Sequence, residues 1–407
     1  MIIESLLDID LYKITMAQLA FFKHRDNEVE YTFKNRTKDV NLLEYIELET
    51  LEKELNHVTT LRVTDDEIEY LRSLGLFKDE FLTFLGELSL PMVNIRRSVP
   101  FSTYDISVSG KWCEVILWET IILSTVNELY HKSQLHDITV IEDTFSVGME
   151  RLYSKIDKLT SGQTRYGFTE FGTRRRFSRF WQEIVVTILK REHDIRIGGI
   201  GFQGTSNVHL AMKLNIPCVG TFAHEMPMVY SGIYNDDLVG SHRKMLEDWY
   251  EFYGEELSIA LTDTYGSKYF FEDFTTEQAR NWKGFRQDSG DPFKFGEQAE
   301  SFYIRNMVDP KEKLVVFSDG LNVDKIMSLG DTFKDRLLTS FGWGSDLVCD
   351  VGQKVNLSIV VKATMSNGHG TVKLSDNLNK SIGSPENIER FKKDFGYTSN
   401  ESEDLVY

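Results

Sequence analysis

The sequence predicts an α/β protein built on a parallel (β/α) barrel, preceded by a part with different patterning. Two observations lead there. From about residue 166 to 364, short apolar runs alternate with helical stretches, and strand–helix alternation means a parallel sheet. Many of these runs end in charged or glycine-rich residues, and serial strand ends of that kind are how a barrel gathers reactive groups at one mouth. About eight units favour closure over an open doubly wound sheet, an alternative that periodicity leaves standing.

The elements follow in order. Residues 11–22 are an apolar-rich helix, and residues 29–34 alternate through Val29, Tyr31 and Phe33 as a half-buried strand does. Residues 47–90, charged and leucine-rich, are helices; residues 93–109 are extended, and 112–130 form one long apolar helix. The barrel runs lie at 166–171, 197–202, 218–222, 259–263, 284–288, 314–319, 338–341 and 359–362. Between the first two, Phe177, Phe180, Trp181, Ile184, Val185, Ile188 and Leu189 make the stripe of an amphipathic helix. The expected divisions are residues 1–130 (an N-terminal domain), 131–364 (the barrel) and 365–407. That last segment, with Gly368-His369-Gly370 and a charged helix, is expected to pack back on the N-terminal part.

A net charge of −17 argues against nucleic acid or an anionic membrane as a bulk partner. An anionic substrate then requires a local basic site. Cys113, Cys218 and Cys349 are too few and scattered for a disulfide framework or a zinc site, which suits a reducing cytoplasm. The first residues lack the basic and apolar regions of a signal peptide, and no run is long enough for a membrane helix.

Several strand ends carry candidate chemistry. His224, in Thr221-Phe222-Ala223-His224-Glu225, follows a buried apolar run and reads as a reacting group or as a structurally satisfied histidine. Asp263 ends the next run, where a carboxylate would orient an imidazole and favour its protonated form. Arg174-Arg175-Arg176 opens the amphipathic helix, where a bound anion would resolve the clash with the helix dipole; a solvated basic turn is the plain alternative. Phe171 reads as core or as a ring face for an aromatic ligand. Thr205, Ser206 and Asn207 suit a small polar ligand or an N-cap. In Arg286-Gln287-Asp288-Ser289-Gly290-Asp291-Pro292, Asp288 can accept from vicinal hydroxyls, Ser289-Gly290 exposes backbone N–H groups and Pro292 fits a first helical turn, an arrangement suited to a ribose phosphate. Ser318-Asp319-Gly320 and Gly342-Trp343-Gly344 end late runs, and late loops of barrels commonly hold phosphate through backbone N–H groups.

Together these segments resemble the bacterial nicotinate phosphoribosyltransferases, of the type II phosphoribosyltransferase family. The likeness runs end to end, through Asp10-Leu11-Tyr12-Lys13-Ile14-Thr15-Met16, Glu170-Phe171-Gly172-Thr173-Arg174, Gly204-Thr205-Ser206-Asn207, Ala223-His224-Glu225 and Arg286-Gln287-Asp288-Ser289-Gly290-Asp291-Pro292. The resemblance implies an irregular barrel fused to an N-terminal α/β domain that the C-terminal segment completes. It also implies a cytoplasmic homodimer with shared active sites. The implied reaction joins nicotinate to 5-phosphoribosyl 1-diphosphate with coupled ATP hydrolysis, Mg²⁺ travelling with the diphosphate and ATP and needing no dedicated protein site. By the same resemblance Phe171 and the partner subunit's Tyr12 sandwich the pyridine ring, and Arg174 and Ser206 lie at its carboxylate. Arg286 and Asp288 engage the phosphoribosyl group, Gly320, Gly342 and Gly344 its 5′-phosphate, and His224 is phosphorylated by ATP.

Related nicotinamide enzymes carry aspartate where Ser206 stands, and serine can donate to a carboxylate that aspartate would repel. The competing readings are a nicotinamide or quinolinate enzyme, a non-catalytic binder and an unrelated sugar-phosphate barrel. The histidine segment, Ser206 and the N-terminal match weigh against them.

Overall fold

The computed structural model describes residues 1–37, 40–353 and 355–398. Two sheets organise them. The first holds strands β1 (Glu28–Asn35), β2 (Asn94–Ser98), β3 (Thr103–Lys111), β10 (Ile359–Ser366) and β11 (His369–Gly370), in the antiparallel order β11-β10-β1-β3-β2. The alternation through Val29, Tyr31 and Phe33 buries those side chains on one face, as the period of two predicts. The second sheet is parallel and six-stranded. It holds β4 (Phe168–Glu170), β5 (Phe202–Thr205), β6 (Ile259–Leu261), β7 (Gly284–Gln287), β8 (Leu314–Phe317) and β9 (Leu338–Trp343), in the order β5-β4-β9-β8-β7-β6.

The parallel sheet differs from the expected eight-unit pattern at three runs, each for a physical reason. Residues 197–202 turn rather than extend, because Gly198, Gly199 and Gly201 take φ of 76°, 66° and 84°, and the strand starts only at Phe202. Residues 218–222 contribute one parallel bridge, Thr205 to Cys218, and then leave the sheet. Gly220 there lies against the start of the helix Leu11–Lys23; a Cβ on it would sit 3.2 Å from Tyr12 N. Residues 359–362 belong to the first sheet, in β10. Helices Trp118–Lys132 and Glu225–Ile233 both pack on that strand, so it reads as a continuous apolar run like a barrel strand. Among the described residues no backbone ladder joins Cys218 to β6, so hydrogen bonds leave this sheet unclosed.

Other elements carry smaller corrections. The apolar stretch after β3 is two helices, Trp112–Val115 and Trp118–Lys132. The charged region holds Leu48–Val58, Asp65–Ser73 and Asp79–Glu87. The amphipathic helix starts at Arg179, capped by the Ser178 hydroxyl, so the three arginines precede it in a 3-10 turn, and Phe180 is exposed rather than in the stripe. At the C-terminus β11 extends the first sheet, but the helix Pro385–Asp394 packs elsewhere. Phe395 behind it stacks on Tyr265 at 4.0 Å, alongside Leu238 of the helix Leu238–Tyr253.

The helix Leu11–Lys23 positions the site more than any other. It is buried on nearly every face, Lys13 and Gln18 included, packed on the helix Trp112–Val115 and bonded to Glu225 and Tyr253 of two further helices. Its entry is tied to the parallel sheet by Leu11 N–H donating to the Ser206 carbonyl at 2.8 Å. Tyr12 is thereby carried to the C-terminal ends of the parallel strands.

Candidate active site

At the C-terminal ends of the parallel strands opens a cavity of about 960 Å³ that continues between the strands to Ile259, Leu314 and Leu338. Of the residues singled out in the sequence, Tyr12, Phe171, Arg174, Ser206, His224, Arg286, Asp288, Asp319, Gly320, Gly342 and Gly344 line it. Asp263 and Ser289 do not. Both are buried behind the wall, the Ser289 hydroxyl donating to Asp263 Oδ2 at 2.5 Å. Ser289 therefore supports the site rather than facing it. Asp291 caps the helix Pro292–Arg305 through Phe293 N–H at 2.8 Å, with Pro292 in the first turn.

His224 is the centre of one cluster. Its Nδ1 lies 2.9 Å from Thr264 Oγ1, while its Nε2 lies 2.8 Å from Asp288 Oδ2, 2.9 Å from Lys373 Nζ and 3.6 Å from Asp263 Oδ1. Two neutral tautomers fit these partners. With the proton on Nε2 the ring donates to Asp288; with it on Nδ1 the ring donates to Thr264 and Nε2 accepts from Lys373. Burial, seconded by Lys373, pushes the imidazole down to about 4 despite Asp263 and Asp288. Asp263 favours the protonated ring as expected, but burial and Lys373 outweigh it. Asp288 stays ionised against its own burial because His224, Arg286 and Lys373 surround it.

The three arginines divide. Arg176 is fully buried and forks onto Asp8 at 2.6 and 2.8 Å. Arg174 faces the cavity, 3.7 Å from Asp10 Oδ2 and 3.8 Å from Glu119 Oε1, with its guanidinium 5.7 Å from the Tyr12 ring. This chain's own Tyr12 lines the cavity beside Arg174, carried there by the N-terminal helix. The Ser206 hydroxyl donates to Asp10 Oδ1 at 2.7 Å, so its one proton is committed inside the protein. Thr205 and Asn207 are internal too: Thr205 donates to Glu170 at 2.6 Å, and Asn207 caps the next helix and donates to Asp8.

The late loops are shaped by close approach. A Cβ at Gly342 would lie 2.4 Å from Phe171 Cδ2, so only glycine lets that ring sit where it does. Gly320 takes φ of 55°, in the left-handed region. Asp319, beside it, is paired with Lys380, whose Nζ also donates to the Asp288 carbonyl at 3.1 Å.

The chain is acidic, yet Arg36, Arg174, Arg175, Arg286, Lys362, Lys373 and Lys380 all border this one cavity. That is the local basic site an anionic substrate requires. Arg286 donates from Nη1 to the Phe222 carbonyl at 3.1 Å, while its buried Nε has no partner among the described residues. An unspent guanidinium N–H suits an anion. His224, Asp263 and Asp288 offer ligand atoms within 4.8 Å of one another, but Lys373 Nζ already stands 2.9 Å from His224 Nε2 and 3.6 Å from Asp263 Oδ2. This ammonium supplies the positive charge, so the trio does not fit a resident metal. Asp288 and Asp319 face the cavity as hard oxygen donors of the kind Mg²⁺ takes.

Sequence reading missed Lys362, Lys373, Lys380 and Arg36. Lys362 ends the apolar run Ile359-Val360-Val361, the same signature that drew attention to His224. Lys373 sits between Val372 and Leu374, both core residues. Nothing local says that either lysine returns to this cavity.

The profile of the nicotinate phosphoribosyltransferase (NAPRTase) family matches residues 166–399, and that of the NAPRTase N-terminal domain matches residues 7–127. Curated relatives named nicotinate phosphoribosyltransferase, from Acidovorax sp. (strain JS42) and Acidovorax ebreus (strain TPSY), are each 39% identical over 387 residues, 94% of this chain and 95% of theirs. Among solved structures, the nicotinate phosphoribosyltransferase of Porphyromonas gingivalis superposes with a TM-score of 0.88 at 32% identity, over 97% of this chain and 100% of that one. The Vibrio cholerae enzyme of the same name gives 0.89 at 31%, over 98% and 95%.

Proposed function

The chain belongs to the nicotinate phosphoribosyltransferase family, and we propose that it joins nicotinate to 5-phosphoribosyl 1-diphosphate, giving nicotinate mononucleotide and pyrophosphate for NAD biosynthesis. We propose further that ATP hydrolysis is coupled to turnover through a phosphohistidine at His224. The observation that carries this reading is one cation-bordered cavity in an acidic chain, with Tyr12, Phe171 and Arg174 on one side and the glycine loops on the other.

In this reading the pyridine nitrogen attacks the anomeric carbon as the bond to diphosphate breaks. Such a displacement needs alignment and charge compensation more than covalent help. Phe171 and Tyr12 flank the ring and Arg174 takes its carboxylate. Arg286 offers its free Nε–H to a phosphate oxygen, Asp288 accepts from ribose hydroxyls, and the backbone at Gly320, Gly342 and Gly344 cradles the 5′-phosphate. Lys373 and Lys380 are the cations at hand for the leaving group. Mg²⁺ on the diphosphate oxygens would supply further neutralisation, with Asp288 and Asp319 as the carboxylates that fit it.

His224 suits phosphoryl transfer because it is neutral and faces the cavity. In the tautomer with its proton on Nδ1, held by Thr264, the Nε2 lone pair becomes the nucleophile once Lys373 turns from it to the incoming phosphate. It forms the bond to the γ-phosphorus while the bond to the ADP oxygen breaks. A homodimer with shared active sites and a cytoplasmic location complete the proposal; the free thiols of Cys113, Cys218 and Cys349 accord with a reducing compartment, and no described helix is long and apolar enough to cross a membrane.

The test is mononucleotide formation by purified protein with the phosphoribosyl donor and Mg²⁺, comparing nicotinate and nicotinamide, each with and without ATP. Product from nicotinate, raised by ATP, is expected, together with label transfer from γ-labelled ATP that His224→Ala abolishes. Full ATP stimulation in His224→Ala would falsify the phosphohistidine step.

A further inference from the structure

We propose that Lys362 is a specificity-determining residue which, with Arg174, receives the carboxylate of the pyridine acid; this rests on the reaction proposed above. Lys362 belongs to β10 of the first sheet, yet its side chain borders the cavity at the barrel mouth. Its Nζ donates to Glu119 Oε1 at 2.7 Å, and Arg174 Nη1 is 3.8 Å from that same oxygen. The other Glu119 oxygen is taken by the buried Lys13. Two cavity-facing cations therefore share one oxygen of Glu119; the other carboxylate near Arg174, Asp10 with its Oδ2 at 3.7 Å, is pushed by burial toward its neutral form, so positive charge toward the cavity is incompletely balanced.

Two observations and the proposed place of the donor point that surplus at a carboxylate on an aromatic ring. It lies beside Tyr12, whose ring is 5.7 Å from the Arg174 guanidinium. Ser206, the other candidate donor, has its proton committed to Asp10. In the reaction proposed above the donor's phosphate groups go to Arg286 and the glycine loops, which leaves the Tyr12 side of the cavity to the pyridine acid. Burial supports the assignment: it lowers Lys362 to about 8, so an anion arriving beside it gains a partner that internal carboxylates have not saturated. A neutral carboxamide can accept a hydrogen bond there but gains no charge–charge attraction.

The experiment is steady-state kinetics of wild type, Lys362→Met and Lys362→Arg, varying nicotinate and the phosphoribosyl donor separately, with melting curves of each protein. Loss of one of two charge-assisted contacts should raise the nicotinate KM of Lys362→Met about 10- to 100-fold. The donor KM should stay within about twofold, and Lys362→Arg should recover most of the loss. If Lys362→Met does not fold, Lys362→Arg, which keeps the charge but moves it, should still raise the nicotinate KM about two- to fivefold while leaving the donor KM alone. A wild type inert toward nicotinate overturns the reaction and this inference together. An active wild type whose folded variants keep the nicotinate KM, or lose donor affinity equally, overturns the assignment of Lys362 alone.

Discussion

Gly342→Ala tests whether the seat of the Phe171 ring is functional. The new methyl would stand 2.4 Å from Cδ2 and 2.7 Å from Cε2 of Phe171, and 3.1 Å from Ser318 Cβ. Carbon atoms prefer roughly 3.5–4.0 Å, so the ring must retreat by about 1 Å. Two responses are open. If the ring is held by its surroundings, overpacking lowers stability by about 1–3 kcal/mol. If it yields, the pyridine loses one wall, and a displacement of ~1 Å at a reacting partner can cost about a hundredfold. Phe171 is only partly buried and borders open cavity, so the second response should dominate. We expect kcat/KM for nicotinate to fall about 10- to 100-fold, with the denaturation midpoint changed little. The assay pairs initial rates with urea unfolding. Unchanged rates together with an unchanged midpoint would refute the reasoning, since the methyl must displace something.

Two further predictions concern buried charge. Burial raises the Glu170 carboxyl from 4.5 to about 7. The folded protein then binds this proton more tightly than the unfolded chain, so the associated stability is full below about 4.5, declines as pH rises to about 7 and is flat beyond. Its size is about 3 kcal/mol, and Glu170→Gln should flatten the fall of unfolding free energy between pH 5 and 7; an identical pH profile in the variant would rule this out. Asp8→Ala strands the fully buried Arg176 guanidinium, whose fork onto Asp8 spans 2.6 and 2.8 Å. Stability should drop by about 3–5 kcal/mol in chemical denaturation, and a loss below about 1 kcal/mol would show the pair to be dispensable.

Much of the fold was legible because burial imposes a period. The alternation at Val29, Tyr31 and Phe33 located β1, and the apolar runs located β4, β6, β7, β8 and β9. Strand ends also revealed the residues whose backbone leads straight into the mouth: Phe171, His224, Asp288, Gly320 and Gly342. Where a run misled, local chemistry was outweighed by packing. Residues 359–362 read as a barrel strand because all four are buried, and a buried strand looks alike in either sheet.

What the sequence determined by itself is therefore the class of the fold, the serial strand ends and the residues they present, since periodicity and turn chemistry act over a few residues. The family resemblance extended this to the whole chain. Tertiary structure alone decided which distant charges meet. Lys373 lies 149 positions from His224, and Lys362 lies 243 from Glu119. These pairs depend on how the first sheet and the C-terminal segment meet the C-terminal ends of the parallel strands. It also decided that Ser206 donates to Asp10, that His224 is neutral and that Tyr12 reaches this chain's own cavity. Protonation and hydrogen-bond partners follow from solvent exclusion and from neighbours brought together in space, and neither is written in local pattern.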